Sequence, residues 1–114
     1  ALFIACQAGH LEVVRLLLEA GADTDKAMQD GATALFAASE KGHLEVVRLL
    51  LEAGADKDRA MQDGATALFI ASEKGHLEVV RLLLKEGADT DKAMQGGATA
   101  LFIASQAGHI EPIK

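Results

Sequence analysis

The pair Gly-His recurs at Gly9-His10, Gly42-His43, Gly75-His76 and Gly108-His109, each 33 residues after the last. A fixed period of this length constrains the fold more than any local propensity does. It means that one supersecondary unit is repeated, and that each unit packs on its sequence neighbours. Met28, Met61 and Met94 keep the same step. Aligning Asp30 to Gln62 with Asp63 to Gln95 leaves five differences: Ala37/Ile70, Glu52/Lys85, Ala53/Glu86, Lys57/Thr90 and Arg59/Lys92. The units are close to copies. At 114 residues the chain is expected to be a single domain, 1–114, too short for two independent cores. It divides into a partial repeat at 1–29, repeats at 30–62 and 63–95, and a partial repeat at 96–114.

Within one unit, Thr33 can accept a free amide at the start of a short helix A, Ala34 to Lys41, which ends at Gly42, where a left-handed residue is wanted. Helix B is expected from Leu44 to Ala53, closed in the same way by Gly54. Its charged residues Glu45, Arg48 and Glu52 fall on one narrow stripe, and Leu44, Val46, Val47, Leu49, Leu50 and Leu51 cover the rest. A helix so apolar is expected to be buried on both flanks, which one unit cannot achieve alone, so neighbouring units must share a core. The segment from Ala55 to Gly64 is too long for a tight helix connection and carries an Asp-Gly turn signal, which reads as a protruding, hairpin-like finger.

The 33-residue period, with Gly-His-Leu-Glu-Val-Val-Arg-Leu-Leu-Leu, Gly-Ala-Asp and a finger, resembles the ankyrin repeat over the whole chain. The tetratricopeptide repeat, with period 34, is the nearest competitor and lacks both the finger and the Gly-Ala-Asp element. One departure is systematic: Thr33-Ala34-Leu35-Phe36, Thr66-Ala67-Leu68-Phe69 and Thr99-Ala100-Leu101-Phe102 stand where the family usually has Thr-Pro-Leu-His. Alanine is a good helix former and loses only the preset φ of an N1 proline. Phenylalanine trades a polar network for apolar area, which places the ring in the core between repeats. The fold class implied is an all-α solenoid of helix-turn-helix units with hairpin-like fingers.

Composition narrows the function. A net charge of −6 leaves no basic surface to neutralise a run of phosphates, which argues against nucleic acid. The longest apolar runs are broken by charge every few residues, which argues against insertion in a membrane. A single cysteine, Cys6, provides no disulfide framework and is compatible with a reducing, intracellular compartment without assigning one.

Four periodic histidines suggest a metal array, but stacked helices lie about 8–10 Å apart, too far for ligands on one zinc ion. They are better read as part of the turn between helices A and B. Asp23/Asp25, Asp56/Asp58 and Asp89/Asp91 lack the ligand spacing of a calcium loop, and the first acid of each pair is read as bonding local amides. Cys6 occupies the slot of Ser39, Ser72 and Ser105 and reads as a small buried hydrophobe. Ser39 and His43 recur as copies in neighbouring units, which is what structure does and catalytic sites do not. No enzyme activity, metal or cofactor is expected.

What remains is surface. The resemblance implies a protein partner along the concave side, built from finger tips and the exposed part of helix A. The matching finger positions are Gln29, Asp30 and Ala32, then Gln62, Asp63 and Ala65, then Gln95, Gly96 and Ala98. On helix A they are Gln7 and Ala8, Glu40 and Lys41, Glu73 and Lys74, and Gln106 and Ala107. Met28, Met61 and Met94 offer either adaptable contact surface or packing of each finger on the next. The leading expectation is a protein-binding scaffold. The alternative, suggested by near-identical units, is a consensus-like or engineered module with a structural role and no specific partner. The lack of an initiator methionine suggests a fragment or processed piece, and neither end carries a polar capping face. Pro112 falls in the first turn of the last helix, where proline is tolerated. Uncapped ends suggest head-to-tail self-association.

Overall fold

The computed structural model describes residues 1–89. Six helices follow in chain order: α1 (Leu2–Ala8), α2 (Leu11–Glu19), α3 (Ala34–Lys41), α4 (Leu44–Glu52), α5 (Ala67–Lys74) and α6 (Leu77–Lys85). They form three helix-turn-helix pairs, each joined to the next by a finger, and the described residues contain no strand. The fold is an all-α helical-repeat solenoid.

The helix ends follow from local chemistry. Thr33 is extended (φ −103°, ψ 170°), and its Oγ1 accepts the Phe36 amide at 3.3 Å; Thr66 accepts the Phe69 amide at 3.2 Å. Each thus satisfies a donor that the first helical turn leaves free. At the other end of α3, Gly42 turns left-handed (φ 74°), and the amides of Gly42 and His43 return to the Ser39 and Ala38 carbonyls. Helix α4 stops one residue before the expected Ala53. Ala53 is its C-cap at φ −81°, and the left-handed residue is Gly54 (φ 91°), so that the Gly54 and Ala55 amides reach Leu51 and Leu50. This paired closure satisfies carbonyls that would otherwise be orphaned.

Side-chain size sets how the pairs stack. Helices α1, α3 and α5 pack on one another far more extensively than α2, α4 and α6 do. Ala34, Ala37 and Ala38 of α3, and Ala67 and Ala71 of α5, are all buried, and such thin side chains let backbones approach. Leucine and valine on the outer helices hold their axes further apart. This leaves α1, α3 and α5 as a closely packed inner row and α2, α4 and α6 as a more loosely packed outer row.

The core runs continuously through all three pairs, with Val14, Leu35, Val47, Leu50 and Leu83 sealed inside it. Phe36 and Phe69 are buried in the same cluster, as expected from their place in the repeat. Helix B is less completely covered than its composition suggests. In α4 only Val46, Val47 and Leu50 are buried, while Leu44, Leu49 and Leu51 are partly covered; elsewhere Val13, Leu16, Leu77 and Leu84 are exposed. The outer helices stand too far apart to enclose one another's flanks, so burial is confined to the side facing the inner row.

One buried position distinguishes two near-identical units. Ser72 Oγ donates to the Leu68 carbonyl at 2.7 Å, whereas Ser39 Oγ, equally buried, has no partner. Removing a satisfied hydroxyl costs about 1 kcal/mol, while removing an unsatisfied one relieves a desolvation penalty. Ser72→Ala is therefore expected to destabilise, and Ser39→Ala to be neutral or stabilising. Urea denaturation of the two variants checks this, and equal losses would show that Ser39 finds a partner in solution.

Candidate functional site

The fingers are the most regular polar structures in the molecule. In the first, the Met28 amide donates to the Ala32 carbonyl at 2.8 Å and the Gly31 amide to the Met28 carbonyl at 2.9 Å. Met61, Gly64 and Ala65 repeat both bonds in the second. These are the bonds of a three-residue hairpin loop ending on a left-handed glycine. Asp30 and Asp63 brace the loops from within, since Oδ1 of each accepts the amide two residues on, at Ala32 and Ala65. Consecutive fingers are then bonded together: the Gln62 amide donates to the Asp30 carbonyl at 3.0 Å, and Gln62 Nε2 to the Gln29 carbonyl at 2.6 Å.

At the base of the fingers the paired acids form a chain of carboxylate-to-amide bonds. Asp23 Oδ1 accepts the Asp25 amide and Asp56 Oδ1 the Asp58 amide, the local role expected of the first acid in each pair. The second acid has a role that the sequence did not reveal. Asp25 Oδ1 accepts the Asp56 amide at 2.8 Å, and Asp58 Oδ1 the Asp89 amide at 2.7 Å, each in the next unit.

The histidines also reach further than the turn between helices. His43 Nε2 bonds the Gln7 carbonyl at 3.1 Å and His76 Nε2 the Glu40 carbonyl at 2.8 Å, each across to the preceding inner helix. A carbonyl only accepts, so Nε2 carries the proton in both. Only the 33-residue step hinted at these bonds, because both partners lie 36 residues away in sequence.

Against this scaffold the candidate contact residues separate. Gln29, Asp30, Gln62 and Asp63 lie exposed on the finger tips, Lys41, Glu73 and Lys74 exposed at the ends of α3 and α5, and Ala8 at the end of α1; Gln7 and Glu40 are half-buried. Ala32 and Ala65 are a correction. Both are buried, because the bonds that close each finger draw the residue after its glycine down onto the helix A start. Their side chains are not available to a partner. Met61 is partly buried against the core while Met28 is exposed, so equivalent methionines differ in surroundings. Gln95, Gly96, Ala98, Gln106, Ala107 and Met94 lie outside the described residues.

Charge is distributed unevenly. On the outer helices Arg15, Arg48 and Arg81 each pair with the glutamate three residues before, Glu12, Glu45 and Glu78. At the ends of the inner helices no ion pair among the described residues involves Glu40, Lys41, Glu73 or Lys74. Adjacent residues on a helix point about 100° apart, so Glu40 cannot face Lys41, nor Glu73 Lys74.

Among the described residues, no three His, Cys, Asp or Glu side chains are grouped to hold an ion. No described helix is long and apolar enough to cross a membrane. Burial pushes the Cys6 thiol up to about 11, so it stays protonated at neutral pH. Chelator, zinc, calcium and reductant are expected to leave the thermal midpoint unchanged, and Cys6 to resist alkylation at pH 8 until denaturant exposes it. A clear upward shift with either ion, or rapid labelling of the native protein, would contradict this arrangement.

Stacked helix pairs, sharing one core and bonded finger to finger, define a helical-repeat solenoid protein. The family model for ankyrin repeats (3 copies) matches residues 1–61 and 57–114, and the chain belongs to the ankyrin-repeat family. Ankyrin repeats are generally protein–protein interaction modules. No curated protein matches the chain.

Proposed function

We propose that this chain is a non-enzymatic scaffold that binds a protein partner on its concave side, through the finger tips and the ends of α3 and α5. The observation that carries this reading is the set of charges at Glu40, Lys41, Glu73 and Lys74 that form no ion pair among the described residues. Glu40 and Glu73 also stand in the last turn of their helices, where the helix dipole disfavours a negative charge. Lys41 and Lys74 in the same turns complement the dipole but do not face the adjacent glutamate, which leaves each carboxylate open to a partner's cation. The same geometry argues against catalysis. Ser39 is buried and the His43 ring is committed to the Gln7 carbonyl, so these two do not form a nucleophile–base pair.

The test is affinity capture with two matched variants. Replacing Glu40, Lys41, Glu73 and Lys74 by Ala is expected to abolish specific capture, while replacing Glu45, Arg48, Glu78 and Arg81 leaves it intact. Equal capture by both variants would move the surface elsewhere. Absence of saturable capture by the wild type would favour the reading prompted by near-identical units, a structural module without a specific partner.

A further inference from the structure

The finger tips and the ends of the inner helices present the same chemistry at a constant step. Gln29 and Asp30 recur as Gln62 and Asp63, and Glu40 and Lys41 as Glu73 and Lys74. Because Gln62 is bonded to the preceding finger and α3 packs on α5, the two sets are held in one rigid register. A partner that uses both sets equivalently must repeat its own chemistry at the same step. Packed helices lie about 8–10 Å apart. Three residues of polyproline II chain make one turn of about 9 Å and return the side chain to the same face, whereas in a β-strand positions i and i+3 point to opposite faces.

A helical partner repeating every seven residues would advance by about 10 Å as well, but helix docking in a groove depends on apolar anchors. The charged sets themselves, at the ends of α3 and α5 and at Gln29, Asp30, Gln62 and Asp63, offer none. Of the large exposed hydrophobics among the described residues, Val13, Leu16, Leu77 and Leu84 lie on the outer helices, while Met28 in the first finger and Ile4 on α1 do not recur with the step, since Met61 is partly buried and Ile70 buried. Each unit's set holds two carboxylates, Asp30 with Glu40 or Asp63 with Glu73, against one ammonium, so the local balance is negative.

Resting on the scaffold reading above, we infer that the occupant is a polyproline II peptide segment with basic residues at every third position, lying across the units so that successive cations meet Glu40 and Glu73. The unit preceding them has Gln7 and Ala8 at the corresponding positions and supplies no charge. The charged contact therefore centres on two units, with i and i+3 of the peptide as its anchors.

The experiment uses fluorescence anisotropy with the whole chain and short synthetic peptides of one composition, lysine in a proline- and serine-rich background. The peptides differ only in whether lysine recurs every third residue, every second, or in one block. The period-three peptide is expected to bind about fivefold tighter than the others. Glu40→Gln and Glu73→Gln should each weaken it, and the double variant should erase its advantage while keeping the wild-type circular dichroism and melting curve. Equal affinity for all peptides would mean undirected attraction to an acidic protein and would overturn the inference. So would no binding, or tighter binding of a heptad-patterned helical peptide. Because these readouts do not involve the captured protein partner, the inference can fail while the scaffold reading stands.

Discussion

Leu50→Ala is expected to destabilise the protein by about 2–5 kcal/mol, and Leu83→Ala by a similar amount. Both leucines are 0 % exposed at matching positions of α4 and α6. Truncation removes the transfer free energy of the lost atoms and leaves a cavity that rigid helix packing fills only in part. Because each pair depends on its neighbours for burial, the loss should appear as a lower midpoint of the main unfolding transition. Leu16→Ala is the control, since Leu16 is 64 % exposed and its truncation should stay within about 0.5 kcal/mol. Thermal and urea unfolding of the three variants checks the order. A Leu50→Ala midpoint no lower than that of Leu16→Ala would mean that α4 is not packed as described.

Gly42→Ala is expected to be the next most damaging change, for two separable reasons. The residue sits at φ 74°, where a Cβ costs about 1–2 kcal/mol. That Cβ would also stand 2.6 Å from His76 Nδ1, against the ring that stitches α3 to the next pair. Gly54 provides the internal comparison. At φ 91° it has the backbone requirement, but a Cβ there meets nothing within 4 Å. Gly54→Ala should therefore lose the backbone part alone, and Gly42→Ala clearly more. In a His76→Ala background the two losses should converge, because the clash has been removed. If Gly42→Ala and Gly54→Ala were equally costly in the wild type, the ring would not be held where it is.

The histidines show where sequence reasoning stopped. Their period and place between the helices are plain in the sequence, and helix spacing alone argues against a metal array. What each ring bonds was not legible, because the acceptor is a backbone carbonyl in another unit, and carbonyls carry no residue-type signal. The paired acids divide in the same way. The local bond of the first acid follows from its position two residues before an amide, whereas the bond of the second depends on where the next unit lands. Ala32 and Ala65 were carried over from the family pattern as contact positions, yet finger closure turns them inward. That Glu40, Lys41, Glu73 and Lys74 form no ion pair among the described residues is equally invisible in the sequence, since ion pairing depends on side-chain directions rather than composition.

The sequence by itself determined the repeat, the helix starts at Thr33 and Thr66, the glycine terminations and the apolar face that makes stacking obligatory. All of these rest on interactions within a few residues, so contiguous sequence encodes them. Only the tertiary structure decided how tightly the inner and outer rows pack, which leucines of helix B remain exposed, and why Ser39 lacks the partner that Ser72 has. Those outcomes depend on neighbours about one repeat away, and near-identical units settle into different surroundings where equivalent side chains differ in size, as Ala37 and Ile70 do.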